Sequence, residues 1–166
     1  MKISASYWIF EGGLEGTLPI HEAMEQASQL GFDAIELGIA SQGVLTHLTT
    51  QAECEAICAM ANKNGLEISG VASGESWGSS PTSSDVKVRE KILDFTKKAL
   101  QITQWLGTDA YLYVPGAVDV FFYPRRKLCL MMCVMNELRR LFQNYYPLQK
   151  NWAFQLPLKM SGTSFC

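Results

Sequence analysis

Three times in this chain a helix-like stretch runs into a glycine and then into a short apolar run. The passages are Leu30-Gly31-Phe32-Asp33-Ala34-Ile35-Glu36-Leu37, Asn64-Gly65-Leu66-Glu67-Ile68-Ser69-Gly70-Val71 and Leu106-Gly107-Thr108-Asp109-Ala110-Tyr111-Leu112-Tyr113-Val114. A glycine at the end of a helix supplies the left-handed residue that reverses the chain. Short apolar runs that follow such reversals, roughly three to four dozen residues apart, read as a βα repeat and a parallel sheet. Ala34-Ile35-Glu36-Leu37 carries one carboxylate. A strand buried on both faces has no reason to hold a charge. Glu36 therefore either faces a polar pocket near the open end of the strand or is paired inside.

Composition narrows the classes. The chain has 166 residues, 48% of them hydrophobic, and a net charge of −2, enough to bury a core and ordinary for a globular protein. A slightly acidic balance leaves no electrostatic footprint for nucleic acid or an anionic membrane. No apolar run reaches spanning length, and Met1-Lys2-Ile3-Ser4 reads as the start of a strand rather than a signal peptide, so a cytoplasmic protein is expected. Cys54 and Cys58, and again Cys129 and Cys133, lie four apart. Such pairs could hold a metal, but no second pair at zinc-site spacing completes a site, and the simpler reading is reduced thiols packed as small apolar residues.

Taken in order, residues 2–8 alternate and predict the first strand, followed by a glycine-rich loop over 9–16. Thr17 is the expected cap of the next helix, with Pro19 in its first turn. Ile20, Met24, Ala27 and Leu30 form its expected sheet-facing stripe. His21, beside Glu22, reads as a surface residue. His47, in the loop 39–49, is placed to touch a ligand or simply to be exposed. Thr50-Gln51-Ala52-Glu53 is a capping box, and the helix it opens is expected to bury Ala56, Ile57 and Met60. The third strand, 66–72, leads into a long polar loop, 73–84, in which Trp77 either covers a ligand or seals a rim. Val88, Ile92, Phe95, Ala99, Ile102 and Leu106 then repeat at alternating spacings of four and three, the clearest helical period in the chain. Asp85 suits the start of that helix. A fourth strand is expected over 110–114. Four strands and three helices make about half of a (β/α)8 barrel, which needs roughly 250 residues.

Residues 1–124 resemble the N-terminal half of the sugar phosphate isomerase/epimerase family, with its xylose-isomerase-like TIM barrel. The residues that carry the likeness are Leu30 to Leu37 as quoted, Ser83-Ser84-Asp85 through Arg89 at the start of a helix, Leu106-Gly107-Thr108, and Val114-Pro115-Gly116. The resemblance implies a metal-dependent sugar or sugar-phosphate isomerase or epimerase that moves a proton next to a carbonyl. It implies a divalent metal, manganese or magnesium, held by Glu, Asp, His and Glu at the ends of strands five to eight, with two carboxylates as acid and base. All four ligands lie beyond strand four, so no catalytic or metal residue is assigned and no cofactor is expected for this chain itself. Barrel sites form at strand C-termini, which makes Trp8, Glu36, Ser73, Glu75, Trp77 and Gly116 the substrate-pocket candidates. Rim packing and turn chemistry are the competing explanation, most of all for Ser73 and Gly116. The expected partner is a small sugar or sugar phosphate, with neither nucleic acid nor membrane. An abasic-site endonuclease branch shares the fold and is disfavoured by the low basic content.

After Pro124 the pattern breaks. Arg125-Arg126-Lys127 and a Met- and Cys-rich run lead to a tail without helical or strand period, although 128–141 is apolar enough to be helical. Reading the codons one base out of register, from the last base of each to the first two of the next, forces certain residues. Met131-Met132 must read Asp, Met132-Cys133 Val, Met135-Asn136 Glu, and Asn144-Tyr145 and Tyr145-Tyr146 both Leu. Asn151-Trp152-Ala153 must read Leu-Gly, a fourth helix-end signature. The permissive junctions over 155–166 allow a strand containing Glu. The chain is thus expected to be an α/β protein of about four parallel strands with helices, the N-terminal half of a TIM barrel over 1–124, with an out-of-frame, non-native tail over 125–166. It is expected to be an inactive fragment that self-associates through open sheet edges.

Overall fold

The computed structural model describes residues 1–114. Gly116, the Cys129/Cys133 pair, and every expectation for 125–166 lie outside the described residues. Within them the elements run β1 (Ser4–Ser6), a single 3-10 turn (Tyr7–Ile9), α1 (Ile20–Gln29), β2 (Ala34–Gly38), α2 (Gln51–Lys63), β3 (Glu67–Ala72), a one-turn α3 (Glu75–Gly78), α4 (Val86–Trp105) and β4 (Tyr111–Leu112). The strands form one parallel sheet in the order β1-β2-β3-β4, as consecutive βα units must when each crossover has the same hand.

The three glycine joints share one geometry. Gly31, Gly65 and Gly107 have φ of 80°, 70° and 74°. Each amide bonds back to the carbonyl three residues earlier, on Ser28, Asn62 and Gln104 at 3.0, 3.1 and 3.0 Å. The next amide in each case reaches the carbonyl five residues earlier, on Ala27, Ala61 and Thr103 at 3.1, 3.0 and 3.3 Å. That paired pattern satisfies the helix's last carbonyls and turns the chain into the following strand.

The sheet has two unlike faces. Ala5, Ile35, Leu37 and Val71 belong to the core with Met24, Ala27, Cys54, Ala61, Ile92, Ala99 and Ile102 from the helices. A fully buried aliphatic side chain of this kind stabilises by about 1.5–3 kcal/mol. Ser4, Ser6 and Glu36 alternate with these residues and lie on the opposite face. There the Ser4 hydroxyl meets the Ser69 hydroxyl at 2.6 Å, although β2 runs between their strands. Strands two apart in a flat sheet are separated by roughly 9.5 Å, more than two serine side chains can span. The polar face is therefore the concave one, and the sheet curls as a barrel wall does.

Several expectations need correcting. Regular strand in the first run is confined to Ser4–Ser6, because Tyr7–Ile9 coils into a 3-10 turn that buries Tyr7. The cap of α1 is Pro19, with no side-chain cap bond; the Thr17 hydroxyl instead donates to the Gly12 carbonyl at 3.3 Å. Leu30 is 68% exposed, because it sits at the helix cap where the chain reverses, and Phe32 beyond the glycine packs against the core in its place. In α2 the buried stripe is Cys54, Ile57 and Ala61, with Cys58 and Met60 half-buried and Ala56 exposed. The stripe is rotated because thiols serve as apolar groups. In α4, Thr96 and Thr103 are buried as well, each hydroxyl donating to the carbonyl four residues back. The capping box at Thr50 and Glu53 forms with both reciprocal bonds, and Asp85 caps α4 by accepting from the Lys87 amide at 2.9 Å.

Candidate functional site at the mouth of the sheet

The segments leaving the C-terminal ends of β1, β2 and β3 gather at one end of the sheet, and backbone bonds join them in series. The Val44 amide donates to the Gly16 carbonyl at 3.0 Å, and the Ile39 amide to the Ala72 carbonyl at 2.9 Å. The gathering needs glycine for steric reasons. A Cβ on Gly13 would lie 2.0 Å from the Tyr7 carbonyl oxygen, and one on Gly38 would lie 2.9 Å from the Trp8 indole nitrogen. Between these segments is an open cavity of about 380 Å³ whose lining includes Trp8, Leu14, Gly38, Leu45, Glu75 and Trp77.

Trp8 and Trp77 both line it and pack against each other, ring centroids 6.2 Å apart and tilted by 44°. Trp8 is placed by the turn that follows β1, where the buried Tyr7 donates its hydroxyl to the Leu18 carbonyl. Trp77 comes from α3, a helical turn inside the stretch expected to be a plain polar loop; its ring lies over Gly74, 3.7 Å from where a Cβ would stand. Glu36 projects from the concave face two residues before Gly38 and accepts from the Ser6 hydroxyl at 3.1 Å. Glu75 lines the cavity, but one of its carboxylate oxygens takes both the Ser41 amide and the Ser41 hydroxyl, each at 2.7 Å. Ser73 is buried and accepts from the Glu75 amide at 3.3 Å, so it serves the turn.

Trp8, Glu75 and Trp77 are thus brought together on the cavity, whereas Glu36, on β2 two residues before Gly38, is not among the residues that line it. Sequence reasoning missed Ser41, whose role depends on a partner 34 residues away. It also missed Tyr111, which burial, partly offset by a hydrogen bond with Ser73, pushes up to about 12.

The histidines and cysteines behave otherwise. His21 is exposed beside Glu22 at 3.9 Å. His47 is half-buried rather than exposed, packed on Phe95 at 5.5 Å between centroids. Cys54 is fully buried, and desolvation raises its thiol to about 11, with smaller contributions from Cys58 and nearby carboxylates. Cys58 is also raised by burial, and its thiol points at the Leu106 carbonyl, 3.5 Å away. These are packed, protonated thiols. Among the described residues no three His, Cys, Asp or Glu side chains gather in a way that could hold a metal, and no helix is long and apolar enough to cross a membrane.

Comparison with known proteins agrees with this geometry. A family model described as "Xylose isomerase-like TIM barrel" matches residues 24–144. No curated protein matches the chain. Among solved structures, a D-psicose 3-epimerase determined in the presence of D-fructose aligns over 91% of this chain and 49% of its own, with a TM-score of 0.67 and 18% identity. A D-psicose 3-epimerase from Clostridium cellulolyticum H10, determined with D-tagatose, aligns over the same shares with a TM-score of 0.65 and 16% identity. The chain spans about half the length of these structures, and at such identities the likeness is one of fold.

Proposed function

Because the chain belongs to the xylose isomerase-like TIM barrel family, we propose that it serves sugar isomerase or epimerase chemistry and that its described residues form the sugar-receiving part of the pocket. The observation that carries this reading is the pair of indoles packed together on the cavity at the C-terminal mouth of the sheet. A sugar presents C–H faces that gain dispersion contact on an aromatic ring and hydroxyls that donate to a carboxylate. Trp8 and Trp77 supply the first kind of contact and Glu36 the second. Solved neighbours carrying D-fructose and D-tagatose support a ketose as the class of substrate, and the reaction proposed is proton transfer at a carbon next to the carbonyl. A phosphorylated sugar belongs to the same proposal, and a cytoplasmic location goes with it.

A divalent metal, manganese or magnesium, is part of this reading for an intact family member. The described residues do not fit one: Glu36 stands with a single serine hydroxyl, and no carboxylate or imidazole joins it. Glu36 is proposed as a substrate contact. The test is binding of D-fructose, followed by tryptophan fluorescence, with Glu36→Gln and Trp8→Phe as variants. Weakened binding with intact folding is expected; unchanged binding in both variants refutes the assignment.

The out-of-frame tail is a further part of the proposal, supported by the forced Leu-Gly at Asn151-Trp152-Ala153. The family match reaches residue 144, inside that tail, so the decision belongs to the DNA: sequence across the codons of 124–126, then the shifted frame downstream of Cys166. A further run of βα pattern there, with Asp, His and Glu near strand ends, is expected; an early stop in that frame refutes the slip. Self-association is proposed on a separate observation. Among the described residues β1 and β4 each pair on one side only, and unpaired parallel edges invite a second strand. Sedimentation of the 166-residue chain tests this, and a purely monomeric species would contradict it.

A further inference from the structure

Trp77 sits on α3, which is four residues long. One helical turn has no stability of its own. Trp77 is also 43% exposed, so burial alone holds its ring weakly. The angle at which it meets Trp8 therefore depends on how the turn itself is anchored. The best-placed group is at the start of the same turn. Glu75 receives two hydrogen bonds on one carboxylate oxygen, from the Ser41 amide and the Ser41 hydroxyl, both at 2.7 Å. Bonds to an ionised acceptor at that length are of the stronger kind, and both cross from the segment after β2 to the segment after β3. They lie two residues from Trp77, at the margin of the cavity that Trp8 and Trp77 bound.

We propose that Ser41 and Glu75 are a positioning pair: they clamp α3 to the neighbouring segment, hold Trp77 against Trp8, and so shape the aromatic wall of the cavity. Glu75 is then a positioning residue rather than an acid or base. Its consequence for sugar binding rests on the function proposed above; its consequence for the indole pair does not.

Two indoles at 6.2 Å couple as excitons, and the coupling shows as a far-ultraviolet circular dichroism couplet. The couplet is measured on the 166-residue chain, and Trp77→Phe defines its absence. Glu75→Ala is expected to remove most of the couplet, and Ser41→Ala, which keeps the backbone donor, part of it. Glu75→Gln is expected to retain it, because the amide oxygen accepts the same two bonds. Thermal melts followed at a wavelength away from the couplet show whether each variant is folded. Should Glu75→Ala lose its melt, the contrast between Ser41→Ala and Glu75→Gln decides. Each variant is also titrated with D-fructose, where a roughly tenfold weaker affinity is expected for Glu75→Ala, the scale of a lost bond to a charged group.

A couplet unchanged in folded Glu75→Ala or Ser41→Ala overturns the clamp. So does a Glu75→Gln variant that behaves like Glu75→Ala, since charge rather than hydrogen-bond acceptance would then matter. If the couplet responds as described but no variant and no parent binds D-fructose, the clamp stands and the sugar reading fails.

Discussion

The two ends of the sheet make different demands on the same residue. At the end where helices pass into strands, Gly31, Gly65 and Gly107 repeat one turn, and a Cβ on any of them would meet nothing within 4 Å. Glycine is there for its backbone angle. At the mouth, Gly13 and Gly38 have no such angle, but a Cβ would strike the Tyr7 carbonyl or the Trp8 ring. At these two positions glycine is there for space, although Gly12, Gly16 and Gly43 in the same segments also have positive φ. The first end is built once and copied three times; at the second, the turn after β1, the loop after β2 and the short helix after β3 share no pattern. A barrel fold keeps its scaffold at one end and its chemistry at the other, and the repeated glycine turns belong to the scaffold end.

The largest effect should come from crowding the mouth. Gly13→Ala places a methyl 2.0 Å from a backbone oxygen, so the backbone must move, at a cost of about 3 kcal/mol or more, the upper range for overpacking. Denaturant unfolding should show that loss together with a weakened Trp8–Trp77 couplet. Gly65→Ala should cost less, about 1–2 kcal/mol for an L-residue in the left-handed region, and should leave the couplet untouched. If Gly65→Ala disturbs the indole pair as much as Gly13→Ala does, the two ends are not separable.

The repeated end was legible in the sequence because its signal is local. A helix stop, a glycine and an apolar run lie within a few residues, and the hydrogen bonds that realise them span three and five residues. The stripe Ile92, Phe95, Ala99 and Ile102 was legible for the same reason. The mouth was not. Trp8, Glu36, Glu75 and Trp77 could be named as strand-end residues, but no short-range pattern announces that Ser41 binds Glu75, that Trp77 rides on a helical turn, or that Tyr7 leaves the strand to be buried. The misplaced residue in α2 has another cause: Cys54 packs as the apolar thiol expected, but Ala56 is small enough to sit on either face and its exposure follows only once the sheet is in place.

Two smaller effects refine the contrast. Glu36→Gln should shift stability by less than about 0.5 kcal/mol, since the amide oxygen can still accept from Ser6, while weakening D-fructose binding roughly tenfold. A collapse in the melt without change in affinity per folded molecule would make Glu36 a structural partner of Ser6. Tyr111 gives a pH dependence at the same end. Burial lifts its phenol from near 10 to about 12. A raised folded value means that the contribution is complete below the unfolded value and is lost as pH climbs from about 10 through 12. Burial also raises the Tyr7 phenol, so absorbance of phenolate on alkaline titration should show more than one late tyrosine, with the Tyr111 step lost in Tyr111→Phe and the Tyr7 step retained, and a modest fall in melting temperature over that interval. Ionisation of all tyrosines together near 10 would contradict the burial.

The most direct test is a D-fructose titration of the 166-residue chain by tryptophan fluorescence, beside the Trp8→Phe/Trp77→Phe double variant, which keeps Trp105 as an internal control. A saturable change in the parent chain, abolished in a folded double variant, is the expected result. No saturable change in the parent chain, or the same change in the double variant, would contradict the assignment of this mouth to a sugar.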